Sequence, residues 1–75
     1  MSKMNIKLTK NEALVLFEFL SRFNEAEQNE IFEDKAEEKI LWLINAQLEK
    51  QLVEPFMPNY RDILDKARKE IRDQE

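Results

Sequence analysis

The sequence predicts an all-α fold: a three-helix arrangement of an α-hairpin plus a C-terminal helix, preceded by a short extended N-terminal arm. Three observations lead there. Apolar residues recur at helical spacing in three separate stretches of the 75 residues. A residue able to cap a helix, Thr9, Asp34 or Asn59, stands before each stretch. Glycine is absent altogether, so asparagines and two prolines must supply the punctuation, and phosphate-cradling glycine loops are excluded. The expected helices cover about 10–24, 34–53 and 59–73 within one helical domain, 1–75.

In the arm, Met4, Ile6 and Leu8 alternate with Asn5 and Lys7. That period of two suits a strand or an extended segment. A lone strand would need a partner for its backbone groups, so the arm is expected to lay its apolar side chains on the helices.

Thr9 with Glu12 in "TKNE" forms a capping box that starts the first helix. Of the twelve residues in "EALVLFEFLSRF", Glu12 to Phe23, eight are apolar. On a helical wheel Ala13, Leu16, Phe17, Leu20 and Phe23 share one face. Val15 and Phe19 widen it on one side and Leu14 on the other, leaving a polar strip at Asn11, Glu18 and Arg22. An apolar arc this broad needs neighbours in at least two directions.

From Glu25 to Glu38 there are seven acids and one lysine. Ile31 and Phe32 interrupt this run and are expected to anchor it to the core. Asp34 and Glu37 read as a second cap, with acids suited to the positive end of a helix. The second helix should bury Ala36, Ile40, Leu43, Ile44 and Gln47, with Leu41, Leu48 and Leu52 beside them. Trp42, Ala46 and Val53 fall nearly opposite. Pro55 should end it, and "EPFMPN" should tuck in Phe56 and Met57. Asn59 is expected to cap the third helix. There Tyr60, Ile63, Leu64, Ala67 and Ile71 make one clean stripe on an otherwise charged surface.

Chemistry is sparse. With no cysteine and no histidine, disulfides and the commonest transition-metal ligands are excluded. Glu30, Glu33, Asp34, Glu37 and Glu38 could hold a hard cation, but the glycine and ligand spacing of a calcium loop are missing. Ser2, Thr9, Ser21 and Tyr60 have no histidine to activate them as nucleophiles, and no enzyme activity or cofactor is expected. Arg61, Lys66, Arg68, Lys69 and Arg72 on the third helix could meet phosphates. Asp62, Asp65, Glu70 and Asp73 offset them, and the net charge is −4. No nucleic-acid partner is therefore expected, a transcriptional regulator built on the third helix being the alternative. No apolar run reaches the roughly 20 residues of a membrane span and no export signal is evident, so a cytoplasmic protein with no membrane partner is expected.

"LTKNEALVLFEFLSRFNE" and "LWLINAQLEKQLVEPF" resemble small uncharacterised bacterial all-helical proteins. The resemblance covers most of the chain, rests on core and capping positions, and implies a bacterial or phage origin without assigning any functional residue. The sequence by itself argues for self-association. A core this small leaves about 3–5 kcal/mol of stability, and three short helices cannot cover every apolar face. Val15, Phe19, Trp42, Ala46 and Val53 are the expected interface of a protein–protein interaction module. It should be homodimeric and open to another protein, as an adaptor, inhibitor or immunity-type factor.

Overall fold

The computed structural model describes residues 2–26 and 29–74; the statements below concern those residues. Three helices form the all-α arrangement: α1 (Lys10–Glu25), α2 (Lys35–Gln51) and α3 (Tyr60–Arg72). Short 3-10 turns lie at Asn29–Ile31 and Glu54–Phe56, and there is no strand among the described residues.

The helix starts follow local chemistry. The Thr9 hydroxyl accepts from the Glu12 N–H at 3.1 Å and the Glu12 carboxylate accepts from the Thr9 N–H at 2.8 Å, completing the capping box. Asp34 accepts from the Ala36 N–H at 2.8 Å, while Glu37 reaches back one residue further, to the Glu33 N–H. Asn59 departs from expectation: it holds the N-cap position of α3 without a side-chain bond. Tyr60 N–H is taken by the Met57 carbonyl in the preceding turn.

Helix ends reflect the missing glycine. Ala26 and Leu52 leave α1 and α2 with extended backbones rather than left-handed ones. α2 therefore stops at Gln51, ahead of the expected 53. Pro55 disfavours helix at Glu54, and the extended Leu52 drops its side chain into the core, where it is buried.

α1 is the central helix. α2 and α3 each pack on it, and neither packs extensively on the other. Leu14, Phe17, Leu52 and Ala67 form the buried cluster, with Ala13, Val15, Leu48, Tyr60 and Ile63 packed around it. The buried side of α1 is thus turned from the expected one. Leu14, placed at its margin, is the most deeply buried large side chain at 1% exposure. Helix α3 causes the rotation by docking on the strip expected to be polar and open. Asn11 donates to the Glu70 carboxylate, and Glu18 accepts from the Tyr60 hydroxyl at 3.0 Å. On the other side, Ser21 donates to the Asn45 side-chain oxygen at 3.3 Å. Lys10 and Glu54 join the start of α1 to the corner after α2 at 2.9 Å.

The α3 stripe is as expected, with Leu64 and Ala67 buried and Tyr60, Ile63 and Ile71 half-buried. Elsewhere the apolar expectations need correction. Phe32 anchors its loop edge-on against Phe23 at 5.9 Å, but Ile31 is exposed. Phe56, at the end of the second 3-10 turn, and Met57, just after it, are exposed rather than tucked in. No residue of α2 itself is buried. Only its Leu41–Asn45–Leu48 side turns toward α1, because α3 does not reach across to cover the rest.

Candidate functional site

Uncovered apolar surface is the feature that sets this chain apart. Six apolar side chains are buried, against twelve large ones that are exposed. The accessible surface is 6645 Å². A compact monomer of 9.1 kDa would expose about 4,900 Å². The radius of gyration is 13.8 Å, where about 11 Å is ordinary for this length. The excess, roughly 1,700 Å² of polar and apolar surface together and with the projecting arm included, exceeds the ~800 Å² that each partner contributes to a standard protein interface.

That surface falls into two regions. One contains the residues expected at an interface. Phe19 is 48% exposed, Trp42 49% and Val53 65%, and Ala46 is exposed beside them. Val15, the fifth, is half-buried and packs on the core. Phe19 is partly sheltered within its own helix, stacking on Phe23 at 5.7 Å with the Arg22 guanidinium 5.9 Å from its ring centre. Lys35, Lys39, Glu49 and Lys50 are exposed residues interleaved along α2 with Trp42 and Ala46, and Val53 follows just after the helix.

The other region is the stripe expected to be core. Ile40, Leu43 and Ile44 are exposed, with Ala36 and Gln47 extending the row. Spacings of four, three and four along Ala36, Ile40, Leu43 and Gln47 are those of a helix-pairing seam. No charged residue stands in that row. Beside it opens a cleft of about 790 Å³ between the arm, α1 and α2. It is lined by Met4, Ile6 and Leu8 from the arm, Leu16 from α1, and Ile44 and Gln47 from α2. The arm does not lie down on the helices as expected: Met4 and Ile6 are almost wholly exposed. Sequence periodicity identified both apolar rows of α2 but not which would be left open. The seam spacing was the signal for the second.

The remaining candidates have local explanations. Among the described residues, no three acidic side chains converge as a metal ion would require, and Asp34 and Glu37 accept from backbone N–H groups. On α3, Arg68 leans 3.5 Å toward Asp65. Two titrations are shifted. Burial, then the bond to Glu18 and its charge, pushes the Tyr60 hydroxyl up to about 12. The bond from Lys10 holds Glu54 below the ordinary carboxylate value. Both groups tie elements of the fold together. No helix is long and apolar enough to cross a membrane. No protein-family model, curated protein or solved structure matches the chain.

Proposed function

We propose that this chain is a protein–protein interaction module of the bacterial cytoplasm, without catalytic activity, that assembles as a homodimer. In that form it would serve as an adaptor, inhibitor or immunity-type factor for another protein. The carrying observation is the surplus of exposed apolar surface on α1 and α2. At about 25 cal/mol per Å² of apolar area removed from water, an ordinary interface repays the loss of independent motion only when anchored by packed side chains. Each region offers such anchors, Phe19, Trp42 and Val53 in one and Leu43 in the other. A two-fold pairing is self-complementary and closes at two copies. One of the two apolar regions then serves the second copy and the other is left for a different partner.

Light scattering behind size exclusion, from about 100 µM to 1 µM, tests the reading. A mass near twice 9.1 kDa that falls on dilution supports it. A constant mass of one chain overturns it.

A further inference from the structure

Within that homodimer reading, we infer that the N-terminal arm is exchanged. Met4, Ile6 and Leu8 of one protomer cover the Ala36–Ile40–Leu43–Gln47 row of the other, with the two α2 helices packed antiparallel about a two-fold axis. Four observations converge on a second copy of this chain as the occupant.

The first is pattern. An extended segment with apolar residues at every second position covers an apolar surface with one side and faces water with the other. Lys3, Asn5 and Lys7 alternate with them as the polar side, and Asn5 and Lys7 also border the cleft. In the isolated chain the apolar side has no cover, since Met4 is 95% and Ile6 83% exposed.

The second is continuity. The arm and the C-terminal end of the uncharged row, Gln47 with Ile44 beside it, are walls of one cleft, so a single occupant can fill it and continue along the row. The seam spacing of the row suits a second helix, and the cleft beside it suits an extended segment.

Charge comes third. Residues 2–11 carry Lys3, Lys7 and Lys10 and no acid. At the start of α2, Asp34, Glu37 and Glu38, exposed or half-exposed, outnumber the exposed Lys35 and Lys39 by one charge. Within one chain the arm lies by the other end of α2, at Ile44, Gln47 and Gln51. Antiparallel pairing brings each such end beside the partner's acidic start, so Lys3 and Lys7 of one copy meet the carboxylates of the other, while Lys10 stays with Glu54 of its own chain.

The fourth concerns the backbone. An extended arm offers N–H and C=O groups that require partners once water is removed. Gln47 and Gln51 line the cleft, and each amide can both donate and accept. This gives the two glutamines a role beside Asn5 and Lys7, the other polar residues of the cleft.

The test uses the full chain and two variants, deletion of residues 2–8 and Ile6→Asp, compared by sedimentation equilibrium. Thr9 and the core are untouched, so far-ultraviolet circular dichroism should match the parent. Arm exchange predicts that either change weakens the dimer about 100-fold, as loss of a central anchor does. A dimer of unchanged affinity overturns arm exchange while leaving the homodimer standing; a full chain that is monomeric throughout overturns both. Because the chain has no cysteine, a disulfide trap locates the arm. Equimolar single-cysteine chains Ile6→Cys and Ala36→Cys should form the mixed disulfide at least about 10-fold faster than Ile6→Cys with Lys66→Cys, a control on α3. Equal rates overturn the exchange. So does an intrachain disulfide in Ile6→Cys/Ile44→Cys that forms to completion at every dilution, which would mean that the arm closes its own cleft.

Discussion

Leu14→Ala should be more damaging than Leu16→Ala, although the wheel places Leu14 at the edge of the apolar arc. The side chain is 1% exposed and belongs to the cluster joining α1 to Leu52 after α2 and to Ala67 of α3. Removing three carbons forfeits about 2.4 kcal/mol at ~0.8 kcal/mol for each buried methylene. The cavity raises the loss to about 3 kcal/mol. In a domain of this length each kcal/mol moves the midpoint by about 4–8 °C, so a fall of roughly 12–24 °C is expected. Leu16→Ala is the comparison: Leu16 is half-buried beside the open cleft, and its loss should be about half as large. Urea and thermal melts followed by circular dichroism, at one protein concentration because dimerisation would shift both curves, decide the matter. A loss under about 1 kcal/mol for Leu14→Ala, or a larger loss for Leu16→Ala, would refute the packing of α3 on that side of α1.

The other expectations concern caps and titrations. Thr9→Ala should cost about 1 kcal/mol in urea melts, whereas Asn59→Ala, which breaks no cap bond, should change stability by only a few tenths. The sole tyrosine, followed by tyrosinate absorbance, should titrate well above its usual 10, near 12. Glu18→Gln should lower that midpoint without restoring the usual value, because burial, the largest cause, persists. Since the folded state holds this proton more tightly, the stability from Tyr60 is complete below about pH 10 and disappears as pH rises through about 12. Glu54 has the opposite sign. Its stabilisation by Lys10 is present above its unfolded value of about 4.5 and fades as pH falls through the lower folded value. Glu54→Gln should therefore flatten the acid limb of the stability profile.

The three helices were legible because capping and periodicity are local. Thr9, Glu12 and Asp34 act within a few residues, and the α3 stripe has a single apolar face, so its orientation is unambiguous. The orientations of α1 and α2 were not legible, because each carries more apolar surface than one neighbour can cover. The wheel puts Leu16 on the central face and Leu14 at its margin, and the position of α3 reverses them, which depends on Tyr60 and Glu70 reaching Glu18 and Asn11. For the same reason Ile40 and Leu43 read as core, although only Leu41 and Leu48 turn toward α1. Val15, Phe19, Trp42, Ala46 and Val53 were picked out as residues three helices would leave uncovered; four of them are exposed and Val15 is half-buried.

Sedimentation equilibrium of the parent chain beside Leu43→Glu tests the dimer most directly, because Leu43 is 56% exposed in the middle of the uncharged row and a carboxylate there leaves the core intact. The parent should sediment at twice the chain mass at micromolar concentration, and Leu43→Glu at the 9.1 kDa of one chain with the same helical content. A parent that sediments as a single chain up to about 100 µM, a concentration at which even a weak 10 µM dimer would be mostly formed, would contradict it.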